Sequence, residues 1–356
     1  MKDNYTNKDK EAIFIERTKR LYPYIWNYYE QMIANEMMSA DELATHNWKC
    51  RKEIVSYVYK YSPFYKQYYN ECNFHPDQLQ TFTDWDKVPI VTKEMIREYG
   101  EDIKVPGVFE KYGAPHFTSG STGKPLMAYN DVRDANPAVE WRYRGWYLGR
   151  NKGEILGNNA IIGVNSGTTR FFDTLYKQKQ FEDNQKSYLP MIDLLIPMNT
   201  SPEVMQSTID KIQRIKPLFI QGYTSVIAAN AKFCIENSIV IEGVKIVFVA
   251  GTILSDSSRK VIEQVFHCPV CNVYGSNELL TMAAECPHSK CHHMHVMSDI
   301  KHVEFVDEDN HIVSDGTIGK SVITSFNNLA FPYVRYLLGD RAAYAKKPVA
   351  PCLFHP

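Results

Sequence analysis

The sequence predicts an α/β protein: helix-covered β-sheets form the core, a helical segment lies at the amino end, and a small, barrel-like β lobe lies near the carboxyl end. Three observations predict it. Through residues 11–72, apolar and aromatic side chains recur at steps of three and four, from Tyr24 to Met38 and again from Trp48 to Tyr69, which is the period of an amphipathic helix. From about residue 155 onward, short apolar runs alternate with helical stretches, the pattern of parallel crossover units. Over 301–345 the text changes to alternating strands separated by Asp307-Glu-Asp-Asn310 and Ser314-Asp-Gly316, which are turn compositions.

Taken in order, Ser39 and Asp41 can cap the helical segment that follows them, and the Tyr and Trp side chains of this region read as a packed helical lobe. Leu79 to Gly100 reads as a loop with a short helix. Asn159–Val164 is a buried strand, Ser201-Pro202 opens a helix with a capping residue and proline at its first position, and Pro217–Ile220 is the next strand. Val244–Ala250 is a strand, Ser255 caps a helix through Val265, and Pro269–Tyr274 is a further strand. The resulting domain division is a helical segment over 1–100 packed on the core, an α/β core over 101–300 and a small β lobe over 301–356.

At 356 residues the chain is long enough for a sizeable core and for more than one lobe. Lys plus Arg (40) nearly balances Asp plus Glu (41), so charge implies neither nucleic acid nor a membrane surface as partner. No apolar run approaches the roughly 20 residues of a membrane helix, and the polar start MKDNYTNKDK lacks a signal core, which reads as cytoplasmic. Eight cysteines in such a chain read as thiols or metal ligands rather than a disulfide framework.

Three turns carry the chemistry. Thr118-Ser-Gly-Ser-Thr-Gly-Lys124 offers two glycines and four hydroxyl residues able to donate to phosphate oxygens. It is not a Walker A loop, since Thr118 stands where that motif needs its first glycine and Pro125 where it needs a hydroxyl. Asn272-Val-Tyr-Gly-Ser-Asn-Glu278 lies at the carboxyl end of an expected parallel strand, where open α/β sheets bind ligands. There Tyr274 could stack on a flat ring and Glu278 could hold magnesium. In Tyr336-Leu-Leu-Gly-Asp340, an aspartate after a tight glycine turn could accept from both hydroxyls of a ribose.

In order and spacing these three turns resemble the signatures of the adenylate-forming superfamily of acyl-CoA synthetases, peptide-synthetase adenylation domains and luciferases. Within it the text is most similar to phenylacetate-CoA ligase and its relatives, on Tyr61-Ser-Pro-Phe-Tyr65, His75-Pro-Asp-Gln-Leu79, Val88-Pro-Ile-Val-Thr-Lys-Glu94 and Pro332-Tyr-Val-Arg-Tyr336, so that the likeness spans roughly 50–345. The resemblance implies the fold of that superfamily's N-terminal domain. It also implies ATP-dependent activation of a carboxylic acid, aryl or arylacetic among the options, to an acyl-adenylate, followed by transfer to coenzyme A. Ser119, Gly120, Ser121, Thr122, Gly123 and Lys124 would clasp the β- and γ-phosphates, Glu278 would hold Mg²⁺, and Asp340 would grip the ribose. Ala250, Gly251 and Thr252 would flank the adenine, with Asn272, Tyr274, Gly275 and Ser276 around it. Gly222, Tyr223, Thr224, Tyr274 and Asn277 would lie near the acyl group. Lys124, Asn277 and Glu278 are the catalytic candidates.

The chain departs from the family's text at Asn277, where threonine is usual, and at Leu337-Leu338, where Arg-Thr is usual. Relatives also carry a mobile C-terminal domain with a catalytic lysine, whereas this chain stops at Pro356, and no lysine before that point reads as its substitute. Two other classes therefore stay open: a synthetase that hands the acyl group to a carrier protein, and a degenerate nucleotide-binding homologue. The expected partners are a small-molecule carboxylic acid and such a carrier protein, and a homodimer is compatible with the reading.

Glu285-Cys-Pro-His-Ser-Lys-Cys-His-His-Met-His295 packs metal-ligand side chains at zinc spacing. Some phenylacetate-CoA ligase relatives bind a structural zinc in this position. The favoured ligands are Cys286, Cys291, His293 and Cys352, with His288, His295 and His355 as substitutes; the alternative is a polar surface loop with free thiols. Cys268-Pro-Val-Cys271 runs into an expected buried strand and reads as core.

Overall fold

The structure, a computed structural model, describes residues 12, 15–16, 19–20, 23–117, 127–134, 136–148, 162–164, 194–196, 199–287 and 292–346. Its helices are α1 (Pro23–Asn35), α2 (Ala40–Tyr61), α3 (Pro63–Glu71), α4 (Lys93–Ile103), α5 (Phe109–Tyr112), α6 (Asn136–Leu148), α7 (Pro202–Ile215), α8 (Thr224–Glu236) and α9 (Asp256–Phe266). The strands are β1 (Gly113–Phe117), β2 (Met127–Asp131), β3 (Ile162–Val164), β4 (Leu194–Ile196), β5 (Phe219–Tyr223), β6 (Ile246–Ala250), β7 (Val270–Ser276), β8 (Leu280–Glu285), β9 (Met294–Val296), β10 (Lys301–Val306), β11 (Gly319–Ser325) and β12 (Tyr336–Ala342). They divide between two compact units, the first Met1–Glu30, Asn136–Ser276 and Ala283–Met294, the second Gln31–Ala135, Asn277–Met282 and His295–Pro356.

The first unit contains strands β4-β3-β5-β6-β7 of a seven-stranded sheet in the order β4-β3-β5-β6-β7-β8-β9. Its β3, β4, β5, β6 and β7 pair in parallel, as the alternation of apolar runs and helices requires. The apolar run of β6 has no polar alternation because both of its faces are covered: Ile246 to Val249 are all 0% exposed. Val247 and Val249 pack with Ile227 and Ala231 of α8 and Ile262 of α9. On the other face Phe248 meets Tyr143 of α6, ring centroids 5.2 Å apart. The local signals hold as well, except that Ser201 occupies the N-cap position without a side-chain capping bond. Pro202 stands at the start of α7, and Ser255 Oγ caps α9 by accepting from Ser258 N at 3.1 Å. Cys271 is fully buried in β7 and the half-buried Cys268 packs against the core; burial pushes the Cys271 thiol upward and that of Cys268 up to about 12.

In the second unit Ser39 caps α2 in a reciprocal box with Glu42. α2, α3 and α4 accompany an antiparallel hairpin, β1-β2, and a three-stranded antiparallel sheet, β10-β11-β12. The carboxyl-terminal lobe is therefore an open sheet, and among the described residues no barrel closes. The outer side of β12 carries a single parallel bridge, Val91 to Tyr336, where a closed barrel would need another strand. Pro332–Leu338 reads as one strand in sequence, yet only Tyr336 onward is β12. The fully buried Tyr65 hydroxyl donates to Pro332 O and accepts from Val334 N, both at 3.0 Å, and so takes the backbone groups a ladder would use. Among the described residues no helix is long and apolar enough to cross a membrane.

Tyr65→Phe would keep the ring and leave the Val334 N–H buried without an acceptor. The expected outcome is a loss of about 1–3 kcal/mol in chemical or thermal unfolding, with the far-UV spectrum unchanged.

Candidate functional site

In the first unit the expected ligand-binding turns gather at one edge of the sheet. Tyr223 at the end of β5 is in register with Ala250 at the end of β6, and Val249 is in register with Asn272 of β7. The strands are parallel, so Gly222–Thr224, Ala250–Thr252 and Tyr274–Ser276 all lie at carboxyl ends, the side on which open α/β sheets hold ligands. Thr224, the first residue of α8, donates its hydroxyl to Ala250 O at 3.3 Å and Thr252 O at 3.0 Å, tying two of these turns together. Gly251 has a φ of +81°, and a Cβ there would stand 2.3 Å from the Tyr223 ring, so this turn excludes a side chain on both counts.

β7 is fixed from behind by a buried ion pair. Arg259 Nη2 lies 2.7 Å from Glu285 Oε1, Arg259 Nη1 donates to Val270 O at 2.6 Å, and Glu285 Oε2 accepts the Asn272 N–H at 3.0 Å. The ion pair thus grips the strand that carries Asn272 and Tyr274.

In the second unit two of the sequence turns meet. Glu278 is only 4% exposed, and its Oε1 lies 3.4 Å from the Tyr336 hydroxyl, the tyrosine that opens Tyr336–Asp340. Burial, reinforced by the Glu278 carboxylate, holds that hydroxyl far above the ordinary phenol range, so it remains a donor. The same carboxylate oxygen lies 3.8 Å from Lys93 Nζ. Sequence reasoning missed Lys93: it is the first residue of α4, and nothing in its local pattern distinguishes it from a solvated helix lysine. The available signal was its place in Val88–Glu94, one of the stretches that carried the resemblance.

The backbone explains the meeting. Val91 N donates to Arg335 O at 3.0 Å and Leu337 N to Val91 O at 2.8 Å, so the segment leading to Lys93 is clipped to the start of β12. Asn130 of β2 donates its amide to Asn277 O at 3.1 Å. Ser119, Gly120, Ser121, Thr122, Gly123 and Lys124 lie outside the described residues; the strands that flank them are paired to the end, Phe117 opposite Met127.

Asp340 is exposed on β12, and its surroundings differ from a tight turn. Between Lys320↔Arg341 and Val322↔Leu337 the register slips, which leaves Leu338, Gly339 and Asp340 in a bulge with Gly339 at a φ of +98°.

Among the described residues no group of three or more His, Cys, Asp or Glu could hold a metal ion. Of the zinc candidates, Cys286 is buried just past β8 and His293 is exposed just before β9, its neighbour in the sheet; His295 is half-buried in β9. Cys291, Cys352, His288 and His355 lie outside the described residues.

No protein-family model matches the chain. It is 26% identical over 326 residues to Protein CapK of Staphylococcus aureus, covering 89% of this chain and 66% of that one. To the phenylacetate-coenzyme A ligase of Pseudomonas putida it is 26% identical over 328 residues, covering 86% and 67%. The solved structure of 2-hydroxyisobutyryl-CoA ligase in the postadenylation state, in complex with R3-HIB-AMP, superposes with a TM-score of 0.68 at 20% identity, covering 86% of this chain and 64% of that one. Its open conformation with 2-HIB-AMP and CoA gives 0.66 at 19%, covering 86% and 71%. The chain thus has the α/β fold of adenylate-forming acyl-CoA ligases, its curated relatives include phenylacetate-CoA ligases, and it spans about two thirds of the length of the curated relatives quoted.

Gly251→Ala should destabilise the first unit by about 1–3 kcal/mol in thermal unfolding, through strain at positive φ together with displacement of Tyr223. A Gly251→Ala, Tyr223→Ala pair should recover the part due to the clash and leave the part due to strain.

Proposed function

We propose that this protein activates a carboxylic acid with ATP, forming an acyl-adenylate, and passes the acyl group to coenzyme A. The observation that carries the proposal is the buried Glu278 carboxylate, faced by Tyr336 of one sequence motif and Lys93 of another. A carboxylate oxygen of the acid attacks the α-phosphorus, the bond to the β-phosphate oxygen breaks, and pyrophosphate leaves. Charge develops on the transferring and departing phosphate oxygens, so the reaction needs donors and cations placed there beforehand.

In this reading Ser119 to Lys124 donate to the β- and γ-phosphates, and Lys93 adds a second ammonium at the same end. Asp340, projected by its bulge, accepts from the ribose hydroxyls. Ala250–Thr252 and Tyr274 frame the adenine. Gly222–Thr224, Tyr274 and Asn277 border the acyl group, whose class is aryl or arylacetic in the first instance.

Magnesium is held in proteins by one or two carboxylates together with substrate phosphates and water. One carboxylate, Glu278, is a donor set that fits that mode and no other, so Glu278 would hold Mg²⁺ only with nucleotide present. When bound, the ion would neutralise phosphate charge. A structural zinc on Cys286, Cys291, His293 and Cys352 belongs to the same proposal. Its support is that the two described members flank the connection between neighbouring strands.

The test is acid-dependent pyrophosphate exchange over a panel of carboxylic acids, followed by thioester formation with coenzyme A or a carrier protein as acceptor. Failure of every acid to support exchange would end the enzymatic reading, and turnover with a carrier protein alone would move the acceptor. Glu278→Gln should slow exchange by about 10²–10³-fold at saturating ATP. Asp340→Ala should chiefly weaken ATP binding, by about ten- to a hundredfold. Metal analysis of protein purified without chelator should find about one zinc per chain, and chelation should lower its melting temperature; metal-free protein of equal stability would remove the zinc.

A further inference from the structure

We infer that Arg335 is a positioning residue for the phosphate end of the site: by clamping Glu304 and the backbone of residues 86–88, it sets Lys93 and Tyr336 around Glu278. The kinetic side of this inference rests on the function proposed above; the geometric side does not.

Arg335 is 2% exposed and makes four side-chain hydrogen bonds. Its Nε donates to Glu304 Oε1 at 2.9 Å and its Nη2 to the same oxygen. Its Nη1 donates to Asp86 O at 3.0 Å and Val88 O at 2.7 Å. The other carboxylate oxygen of Glu304 accepts from Trp85 Nε1. Phe82–Lys87 forms a 3-10 helix held at its start by Thr81 and Asp84, so Arg335 grips a short rigid element and the residues leaving it.

Both groups that face Glu278 lie immediately beyond this clamp. In one direction the chain runs from Val88 to Val91, whose backbone is bridged to Arg335 and Leu337, and two residues later reaches Lys93. In the other, Tyr336 follows Arg335 directly. The backbone of Arg335 is itself unusual. Its φ is +45°, rare for a side chain with a Cβ, and Thr324 Oγ1 accepts its N–H at 2.9 Å.

Stability alone is a poor reason for this arrangement. A buried ion pair often contributes no more than apolar side chains of equal volume would, and its best-attested use is to enforce one geometry among several. Here the enforced geometry is the approach of two donors to one carboxylate. Arginine suits the task and lysine does not, because only a planar fork can serve Glu304 and two carbonyls together.

The experiment compares Arg335→Lys with the parent, alone and combined with Lys93→Ala. Lys93 acylation by a small N-hydroxysuccinimide ester is read by mass spectrometry against Lys49, a surface residue of α2. Arg335→Lys should raise relative Lys93 labelling several-fold while cooperative unfolding persists. It should also lower exchange at saturating ATP and acid by about ten- to a hundredfold and leave KM for the acid nearly unchanged. In the double variant, Lys93→Ala should cost far less than it does in the parent background, because the two losses are one loss. Unchanged Lys93 labelling, or losses that simply multiply, would overturn the inference. If the parent shows no exchange, the functional reading fails, and the labelling result still decides the geometry. Should Arg335→Lys not fold, Glu304→Gln, which keeps the shape and the Trp85 partner, gives the same readouts.

Discussion

A carboxylate withdrawn from water must be given charge and hydrogen bonds by the protein, and Glu278 concentrates that requirement in the second unit. Its two described partners, Tyr336 and Lys93, are far apart in sequence from it and from each other. Neither reaches Glu278 through its own local structure. Lys93 arrives because Val91 is bridged to the start of β12, and Tyr336 arrives because Arg335 is held by Glu304, Asp86 and Val88. The hairpin strand β2 adds a third constraint, Asn130 on the carbonyl of Asn277. Around one buried acid, therefore, these contacts gather the start of α4, the start of β12 and the hairpin strand β2.

The first unit uses the same device for a different end. Glu285 is buried with Arg259, and its second oxygen takes the backbone N–H of Asn272. The parallel register brings β5, β6 and β7 to a common edge, but register alone leaves the turns beyond them free to vary. Thr224 closes one such freedom by donating to two carbonyls, and the contact of Gly251 with Tyr223 closes another. Positive φ and close approach coincide at Gly251, which is why that turn admits glycine alone.

Legibility followed the range of the interaction. Helices α1 to α3 and the crossover units announced themselves through period and caps, since Ser39, Pro202 and Ser255 act within a few residues of themselves. The continuous burial of β6 was readable too, because a short apolar run without polar alternation is what a strand covered on both faces requires. What escaped depended on distant partners. Pro332–Arg335 has strand composition, but the hydroxyl of Tyr65 removes its ladder groups. Gly339-Asp340 reads as a turn, and only the partner strand β11 reveals a bulge. Lys93 is a helix-start lysine in every local respect, and its role is set by a glutamate 185 residues away. The barrel-like lobe is an open antiparallel sheet among the described residues, since closure is a property of strand edges that no single strand encodes.

The positions where this chain departs from phenylacetate-CoA ligase text bear on whether such a site survives the changes. Asn277 replaces threonine, and its carbonyl accepts from Asn130. Leu337 replaces arginine, and there the N–H is used, donated to Val91 O. Every residue except proline supplies a carbonyl and an N–H, so neither of these two hydrogen bonds depends on the side chain at its position. The side chains that do carry the site's scaffold, Lys93, Arg335, Tyr336 and Glu278, all lie within the stretches that match the family's text. Both of the contacts described at Asn277 and Leu337 are made by backbone groups, whereas the contacts around Glu278 that need a particular side chain fall to Lys93, Tyr336 and, behind them, Arg335.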